Sequence, residues 1–379
     1  MVEALGFDFH SPGGEPYWDE TGAWFFTAAE IDLLDDTAVE LHRMCLEAVG
    51  HVVDKGRWDD LAIPPGWVPL IRRSWQARDT TDRTLYGRLD IAWDGQSPPR
   101  LLEYNGDTPT ALFEAAVVQW HWLEAVQPGC DQFNGLHEAL VDRWAALAAG
   151  IPDGRLHLTS MVPHAEDEGT VRYLEAAALE AGLSAKFLPL QDVGWNDALG
   201  FVDAEDQPIR TLFKLYPWEW LLRDGFGSAL MEEVAAGRIR LIEPAWKMLL
   251  ANKGLLAILW ELFPGHPNLL EAHLDRRRFV PGSTVAAKPL LGREGANVSI
   301  ARLGPDGNPE GAPLAHLDGP YGAEGWVYQA FTPLAAAGPD RHAVFGIWMV
   351  GDACKGMGIR EDQGLVTRDT ARFVPHWFK

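Results

Sequence analysis

Two short segments constrain the fold of this chain more than any other part of its sequence. Residues 87–93 and 101–105 each have the composition of a β-strand, and Asp94-Gly95 begins the connection between them. This arrangement predicts a β-hairpin with a long loop. Because side chains alternate along a strand, polar residues two positions apart lie on the same face of it. The hairpin is therefore a platform on which polar side chains can be brought together.

The predicted hairpin carries four polar side chains on two such faces. Arg88 and Asp90 share one face of the first strand. Glu103 and Asn105 share one face of the second strand. If the register aligns these faces, the carboxylate and amide oxygens suit Mg²⁺, which keeps water and phosphate oxygens as its other ligands, and the arginine faces a phosphate or a developing oxyanion. On spacing alone, a solvated hairpin face with an ordinary Arg–Asp ion pair is an open alternative.

Length and composition limit the class of protein. A chain of 379 residues with 47% hydrophobic and 23% charged residues is typical of a globular enzyme with two or three packed subdomains. Because 54 Asp and Glu outnumber 32 Lys and Arg, the net charge of −22 argues against nucleic acid and anionic membrane as partners. No apolar run reaches ~18 residues and no secretory signal is present, so we expect a cytoplasmic protein. The three cysteines show neither disulfide nor zinc spacing.

Local patterns predict the other elements. Thr27 and Glu30 form a capping box that begins a long helix with Cys45 on its buried stripe. A strand–helix–strand unit within residues 156–189 predicts parallel strands. We expect helices over residues 111–125, 136–149, 170–181 and 254–263, and strands over residues 156–158, 185–189, 284–289, 298–300, 326–331 and 343–350.

Two lysines and a glycine-bounded loop indicate a phosphate site. Lys288 lies at a strand end, and the glycine-bounded loop that follows, residues 292–295, can lay backbone N–H groups and Arg293 over a triphosphate. The loop lacks the Walker pattern and no helix follows it, so it is not a P-loop. A charged hairpin turn is the alternative. Lys253 begins an apolar helix and is uninformative by itself.

Three further segments carry candidate chemistry. Residues 328–331 end an apolar strand whose backbone amides could hydrogen-bond an adenine edge, with plain sheet core as the alternative. Arg360 lies in a glycine-rich segment and is a candidate clamp for a phosphoryl group. Glu166 and Asp167 precede a predicted helix. There they either interact favourably with the helix dipole or form an anionic patch for a cationic amine.

Taken together, these segments resemble the glutathionylspermidine synthase family, whose synthetase domain has a rearranged ATP-grasp fold. The resemblance extends nearly end to end and is strongest to short, stand-alone acid–amine ligases without the N-terminal cysteine amidase domain. None of the cysteines of this chain has an amidase-like setting. In chain order, the matching motifs are GFDFH (6–10), RLD (88–90), LEYNGDTPT (102–110), FKLYPWE (213–219), EPAWK (243–247), NK (252–253), KP (288–289), REGANV (293–298) and GIRED (358–362).

The resemblance implies a role for each matching residue. The implied Mg²⁺ ligands are Asp90, Glu103 and Asn105. Arg88 and Arg360 match the pair of catalytic arginines at the transferring phosphoryl group. The implied ATP-binding set is Arg88, Asp90, Lys253, Lys288, Arg293, Glu294, Gly295, Tyr328, Gln329, Ala330, Phe331, Leu365, Val366 and Thr367. The implied substrate contacts are Thr108 and Thr110, which stand where the bifunctional enzymes have serines, with Glu166, Asp167 and Tyr216.

The implied fold is α+β, a rearranged (circularly permuted) ATP-grasp fold with a mixed α/β pre-ATP-grasp-like subdomain. We expect a domain boundary near residue 240. Residues 1–240 would hold the metal-binding hairpin, at about 85–110, and a βαβ substrate-side subdomain, at about 150–220. Residues 241–379 would form the nucleotide-binding region with its lid and the C-terminal catalytic strands.

The implied activity is that of an ATP- and Mg²⁺-dependent ligase that joins a small carboxylic acid or peptide to an amine through an acyl phosphate. A polyamine is one candidate for the amine, but glutathione and spermidine enter by analogy alone. Three alternatives stay open: a peptide or amino-acid ligase of the ATP-grasp type without a polyamine, a nucleotide-binding protein that has lost turnover, and a carbohydrate-binding module built on the 17 tryptophans.

Overall fold

The computed structural model describes residues 2–379, which form a mixed α/β structure with several sheets. In chain order, the α-helices are α1 (Ala28–Lys55), α2 (Val68–Gln76), α3 (Gln119–Val126), α4 (Leu136–Ala148), α5 (Ala165–Glu180), α6 (Trp218–Leu221), α7 (Gly227–Ala235), α8 (Lys247–Ala251) and α9 (Leu255–Leu262). Single 3₁₀ turns cover Val2–Leu5, Asp8–His10, Pro12–Gly14, Asp59–Leu61, Pro65–Trp67, Pro152–Gly154, Leu190–Asp192 and Arg276–Arg278, and a π-helical turn covers Glu114–Val118.

The strands, in chain order, are β1 (Trp24–Phe26), β2 (Tyr86–Ala92), β3 (Arg100–Asn105), β4 (Arg155–Ser160), β5 (Ser184–Pro189), β6 (Gly194–Asn196), β7 (Gly200–Val202), β8 (Thr211–Leu215), β9 (Arg240–Ile242), β10 (Ala272–His273), β11 (Thr284–Pro289), β12 (Ser299–Arg302), β13 (Ala315–His316), β14 (Trp326–Ala330), β15 (Ala335–Ala336), β16 (Arg341–Val350), β17 (Ala353–Gln363), β18 (Arg372–Val374) and β19 (His376–Phe378).

Three larger sheets and two ribbons organise these strands. The six-stranded sheet has the order β18-β17-β16-β2-β3, with β15 also paired to β16, and its pairings are antiparallel. The five-stranded sheet, β10-β14-β11-β12-β13, is antiparallel as well. The four-stranded sheet, β5-β4-β8-β9, is parallel. β1 pairs in parallel with β19, and β6 pairs antiparallel with β7.

The predicted hairpin is confirmed as β2 and β3. The two strands pair antiparallel with Arg88 opposite Asn105. Asp90 lies opposite Glu103, so all four polar side chains share one face. On its other edge β2 pairs with β16, where Gly346 lies opposite Asp90. A Cβ atom at Gly346 would lie 2.7 Å from Arg88 Cδ, so glycine leaves the room that the Arg88 side chain occupies.

The hairpin is held between two large apolar clusters. Leu89 and Ile91 on β2 belong to the first cluster, to which α1, α8 and α9 contribute. Tyr86 and Trp348 belong to the second cluster, which joins α4 and α5 to the parallel sheet. The rings of Tyr86 and Trp348 stack with their centres 5.9 Å apart. The polar face of the hairpin is therefore carried by closely packed neighbours.

The predicted strand–helix–strand unit is confirmed as β4, α5 and β5, with parallel strands. Helix α5 begins at Ala165, earlier than the predicted residue 170. His164 Nδ1 accepts a hydrogen bond from the backbone N–H of Asp167 at 3.3 Å and caps this helix start. Acidic residues then occupy the first turn, where the helix dipole favours negative charge. Apolar periodicity does not detect such a polar first turn.

The other predicted helices are present, with one difference in type. The helix predicted at the capping box is α1, and Cys45 is buried in it. The helix predicted over residues 111–125 is instead interrupted near its start by the π-helical turn that precedes α3. This wider turn departs from the 3.6-residue period on which the prediction rests. Within residues 2–379, none of the helices combines the length and the apolar character needed to cross a membrane.

Candidate active site

A cavity of about 400 Å³ lies beside the polar face of the hairpin. Strands of the six-stranded and five-stranded sheets line it, together with residues at the carboxyl ends of β4 and β8. Most residues with predicted roles line this cavity: Arg88, Asp90, Glu103, Asn105, Thr108, Thr110, Glu166, Asp167, Tyr216, Lys253, Lys288, Arg293, Glu294, Gly295, Gln329, Ala330, Phe331, Arg360, Leu365, Val366 and Thr367.

The side chain of Tyr328 is not brought into the cavity. Alternation along β14 turns it to the opposite face of the sheet, where it packs against Phe279, Val285 and Leu303. The Arg276 guanidinium lies 5.9 Å from the centre of its ring. A backbone contact from residue 328 to a nucleotide stays a prediction.

The Asp90 carboxylate is the centre of a buried charge network. Arg88 Nε donates to Asp90 Oδ1 at 2.6 Å, and Arg88 Nη2 donates to Asp90 Oδ2 at 3.2 Å. Arg360 Nη2, on β17, donates to Asp90 Oδ2 at 2.9 Å. Arg88 and Asp90 are only 6% and 3% exposed, so the alternative of a solvated ion pair on an open hairpin face is wrong. Two guanidinium groups instead converge on one carboxylate at the cavity wall.

Glu103 and Asn105 complete the polar face of the hairpin. Lys253 Nζ lies 2.8 Å from Glu103 Oε2. Asn105 Nδ2 lies 3.1 Å from Asp90 Oδ2 and 3.3 Å from Glu103 Oε1, so it links the two carboxylates. Burial by itself raises the pKa of Glu103, but the ammonium groups of Lys253 and Lys288 outweigh burial and lower this pKa to about 2. Glu103 therefore stays ionised at neutral pH.

Lys288 reaches the hairpin from the five-stranded sheet. Its Nζ donates to the carbonyl oxygen of Leu102 at 2.9 Å and to Gln329 Oε1 at 2.7 Å. Gln329 Nε2 donates in turn to the carbonyl oxygen of Leu101 at 2.9 Å. Burial lowers the pKa of Lys288 to about 8, although Glu103 opposes this effect. Both side chains thus tie β11 and β14 to the backbone of β3.

The charge balance of this network suits a polyphosphate with its metal ion. Four cations face two carboxylates, which leaves two positive charges in excess: Arg88, Lys253, Lys288 and Arg360 against Asp90 and Glu103. The hard oxygen donors of Asp90, Glu103 and Asn105 fit Mg²⁺, which binds through one or two carboxylates and takes substrate phosphates as further ligands. Among residues 2–379, no three His, Cys, Asp or Glu side chains form a complete metal cage. The donor set therefore suits a cation that arrives with its phosphate ligand.

A loop of the five-stranded sheet, residues 292–297, is fastened over the cavity. Arg293 Nη1 donates to Thr108 Oγ1 at 2.9 Å, and Arg293 Nη2 pairs with Glu219 Oε1 at 2.5 Å. Glu219 is not among the predicted site residues. It is buried, and its place in the matching motif of residues 213–219 is a signal that could have found it. The loop therefore bonds to the segment after the hairpin and to α6.

Gly295 allows this loop to pack on the C-terminal segment. Its φ is +71°, and a Cβ atom would lie 2.7 Å from Val366 Cγ1 and 2.8 Å from the carbonyl oxygen of Thr367. Because a left-handed backbone costs an L-residue about 1–2 kcal/mol before any clash, we expect Gly295→Ala to raise the KM for ATP at least about tenfold. Steady-state kinetics measures this change. Gly311→Ala is the matched control, since φ is +75° there and nothing lies within 4 Å; equal KM values in the two variants would contradict the packing role.

A group of acidic residues lines the cavity near Arg293. Its members are Glu166, Asp167 and Glu294. Burial raises the pKa of Asp167 to about 6, and the other two carboxylates contribute to the increase. Burial likewise raises the pKa of Glu294, with a contribution from Asp369. Because a bound cation would relieve this repulsion, the group suits a positively charged ligand.

Glu114 is a buried acid near the cavity that has no predicted role. It is 2% exposed and lies in the π-helical turn. Burial raises its pKa to about 7, the charge of Glu166 adds to the increase, and Tyr17 and Arg88 oppose it. The sequence gives little sign of Glu114, because an acidic residue near the start of a predicted helix is common. Glu114 lies three residues after Ala111, whose backbone is left-handed.

This buried acid makes the stability of the protein depend on pH. The pKa of Glu114 rises from 4.5 to about 7 on folding. The folded protein thus holds this proton more tightly than the unfolded chain, and stability falls as pH rises from about 4.5 to about 7. Glu114→Gln removes this loss, so we expect its stability relative to wild type to increase by up to about 3 kcal/mol over that interval. Urea unfolding at several pH values measures it, and a constant difference across the range would contradict it.

Comparisons with known proteins fit this geometry. A family model described as glutathionylspermidine synthase preATP-grasp matches residues 1–379. The chain is 40% identical to a Haemophilus influenzae protein named "Putative acid--amine ligase", over 100% of this chain and 96% of that one. It is 29% identical to trypanothione synthetase of Crithidia fasciculata, over 86% of this chain and 52% of that one. It is also 29% identical to the bifunctional glutathionylspermidine synthetase/amidase of Escherichia coli, over 72% of this chain and 46% of that one, so it spans about half the length of these two relatives.

Among solved structures, the likeness is weaker. The chain superposes on a crystal structure described as a "Putative gamma-glutamylcysteine synthetase" of Methylobacillus flagellatus with a TM-score of 0.43 and 12% identity, over 90% of this chain and 88% of that one.

Proposed function

Since the chain belongs to the glutathionylspermidine synthase preATP-grasp family, we propose that it is an ATP- and Mg²⁺-dependent ligase that joins a carboxylic acid to an amine. The amide would form through an acyl phosphate, with ADP and inorganic phosphate as the other products. A rearranged ATP-grasp fold fits this proposal, because the hairpin precedes both lysines in the chain. Residues 1–240 would then supply the hairpin and the substrate side, and residues 241–379 the nucleotide region.

One observation carries the proposal: distant parts of the chain converge on one charge network beside the cavity. Asp90 and Arg360 are 270 residues apart in sequence, and their side chains lie 2.9 Å apart. Lys253 and Lys288 come from two further elements and face Glu103 and the β3 backbone. A fold does not need such a concentration of buried charge for its stability, because buried charges are costly to desolvate. A site for a highly charged ligand explains it.

The proposed chemistry needs each part of this network. A carboxylate is a poor electrophile with a poor leaving group, so it does not condense with an amine in water. Transfer of the γ-phosphoryl group from ATP makes it an acyl phosphate and releases ADP. The amine then attacks the carbonyl carbon, and the tetrahedral intermediate collapses to the amide with loss of inorganic phosphate. Positive groups stabilise the charge that spreads over the moving phosphoryl oxygens and over the oxygens of the tetrahedral intermediate. Mg²⁺, when bound, supplies part of that positive charge.

The side chains divide this work. Arg88 and Arg360 bind the transferring phosphoryl group, and Lys253 and Lys288 bind the nucleotide phosphates. The hairpin carboxylates and the Asn105 amide would hold the metal ion. The loop of residues 292–297 excludes water, which would otherwise hydrolyse the acyl phosphate. The backbone at residues 328–331 and the segment of residues 365–367 would contact the base and sugar of the nucleotide.

The side chains of the cavity wall favour particular classes of substrate. The acidic group formed by Glu166, Asp167 and Glu294 favours an amine that carries more than one positive charge, so a polyamine is a candidate. The hydroxyl groups of Thr108 and Thr110 in the cavity wall can donate hydrogen bonds to the carboxylate of a small acid or peptide. Two longer relatives are named trypanothione synthetase and glutathionylspermidine synthetase/amidase, and the second name fits a polyamine substrate.

A screen of acid and amine pairs tests the function. Each pair is incubated with the protein, ATP and Mg²⁺, and mass spectrometry searches for a product equal to acid plus amine minus water. We expect one class of pair to give this product together with one ADP per amide. Tight ATP binding without ADP release for any pair would favour instead a nucleotide-binding protein that has lost turnover.

A further inference from the structure

We propose that five buried residues behind the cavity are positioning residues. They hold the start of β2 and the end of β3, so that the polar face of the hairpin meets the lysines and Arg360. We call them the hairpin clamp: Asp107, Lys214, Trp218, Glu243 and Lys247. The proposal rests on the proposed function, since the groups being positioned are the candidate nucleotide and metal contacts. None of the five lines the cavity, so they act through the hairpin backbone.

The beginning of β2 is held by Glu243 and Lys247. Glu243 Oε1 accepts hydrogen bonds from the backbone N–H groups of Leu85 and Tyr86 at 2.9 and 3.0 Å. Glu243 Oε2 accepts from Thr84 Oγ1 at 2.6 Å. Lys247 Nζ donates to Thr84 Oγ1 and to the carbonyl oxygen of Tyr86, both at 2.8 Å. Both the N–H and the carbonyl group of Tyr86, two residues before Arg88, are therefore held by hydrogen bonds to buried side chains.

The end of β3 is held by Asp107 and Lys214. Lys214 Nζ lies 2.6 Å from Asp107 Oδ1. Asp107 Oδ2 accepts a hydrogen bond from the backbone N–H of Trp218 at 3.0 Å. Asp107 lies two residues after Asn105 and directly before Thr108. The same pair therefore fixes the last residue of the polar face and the segment to which the loop of residues 292–297 bonds.

Trp218 joins the two ends into one unit. Its backbone N–H bonds to Asp107, and its indole Nε1 donates to the carbonyl oxygen of Glu243 at 2.9 Å. The Lys214 ammonium lies 5.2 Å from the centre of its ring. Asp107, Lys214, Trp218, Glu243 and Lys247 are each no more than 1% exposed. Trp218 thus links the residues that hold the start of β2 to those that hold the end of β3.

The chemistry of the clamp favours positioning over simple stabilisation. Two lysine–carboxylate pairs are buried completely, and burial lowers the pKa of both Lys214 and Lys247, which shows how unfavourable the site is for charge. Apolar residues of the same volume often stabilise a fold as well as such pairs do. Ion pairs, however, set the direction and length of the bonds that hold a backbone. Such directional bonds act on the hairpin, because its side chains have to meet partners from three other elements.

Charge-neutral double variants test the clamp. Glu243→Gln/Lys247→Met and Asp107→Asn/Lys214→Met keep side-chain volume and leave no unpaired buried charge. The measurements are the unfolding midpoint and the Kd for Mg²⁺ with a non-hydrolysable ATP analogue, by calorimetry. We expect the folded variants to bind this nucleotide at least about tenfold more weakly. Leu140→Ala in α4 is the control, because it removes buried contacts away from the cavity and we expect it to lower the midpoint with an unchanged Kd.

Trp218→Phe keeps the test decisive if the double variants do not fold. It removes the indole N–H and keeps a smaller aromatic ring at this position, and we expect a Kd about threefold weaker than that of wild type. A folded clamp variant with the Kd of wild type would overturn the clamp alone. A wild-type protein that binds no Mg²⁺–nucleotide would overturn the proposed function and the clamp with it.

Discussion

Arg360→Ala is expected to reduce the rate of ADP formation by about a thousandfold while the protein stays folded. Arg360 Nη2 bonds to Asp90 Oδ2 from β17, which is separated from β2 by β16, and 20% of its side chain is exposed. A positive group that faces the moving phosphoryl group contributes about this factor when its charge stabilises the transition state. Asp90 keeps its two bonds to Arg88, so the substitution leaves no buried carboxylate without a partner.

The measurement for Arg360 separates binding from chemistry. A coupled assay gives the rate of ADP formation, and calorimetry gives the affinity for the nucleotide. We expect most of the loss in the rate. Arg238→Ala is the control, because Arg238 pairs with Glu233 outside the cavity and its loss should leave the rate unchanged. A rate for Arg360→Ala within tenfold of wild type would contradict the assigned role.

Glu103→Gln is expected to raise the Mg²⁺ concentration needed for half-maximal nucleotide binding at least about a hundredfold. We expect turnover to fall as well. Glutamine has nearly the same shape as glutamate but carries no negative charge. In the wild type, Lys253 and Lys288 lower the pKa of Glu103 to about 2, so its carboxylate is ionised at neutral pH. Partners one shell removed from a metal ion already change its affinity by about 10–100-fold, so the loss of a direct ligand is at least as large. The concentration of Mg²⁺ needed for half-maximal nucleotide binding measures the effect.

A matched carboxylate outside the cavity controls for the loss of charge. Glu261 pairs with Arg57 at 3.0 Å, and Glu261→Gln should leave the Mg²⁺ response of the protein unchanged. The same Mg²⁺ requirement in Glu103→Gln and wild type would remove Glu103 from the metal ligands. Weak binding in both variants would instead indicate a general effect of net charge.

The sequence was sufficient to predict the hairpin and the polar side chains that share a face within each strand, because both depend on local rules; the register that joins the two faces was left open. Alternation along two strands determines which side chains share a face, and the register then places Asp90 opposite Glu103. The same alternation, applied to β14, explains why Gln329 faces the cavity and Tyr328 faces away from it. Local rules also found α1, because its capping box lies within four residues.

The rest of the site depends on contacts between distant residues, which no local pattern contains. The pairing of Arg293 with Glu219 and of Lys214 with Asp107 joins segments that are 74 and 107 residues apart. The early start of α5 depends on a histidine cap and an acidic first turn rather than on apolar spacing. In each case the packing of the whole chain determines which residues become neighbours. The sequence gives the residue types but not these neighbours.

Transfer of oxygen from the acid to phosphate tests the central claim most directly. The acid that the screen identifies is labelled with ¹⁸O in its carboxyl group and incubated with the protein, the amine, ATP and Mg²⁺. An acyl-phosphate route breaks the bond between the carboxyl carbon and one labelled oxygen, so the expected result is one ¹⁸O in the released phosphate for each amide formed. Amide formation with unlabelled phosphate, or with AMP and pyrophosphate in place of ADP, would contradict the proposed mechanism.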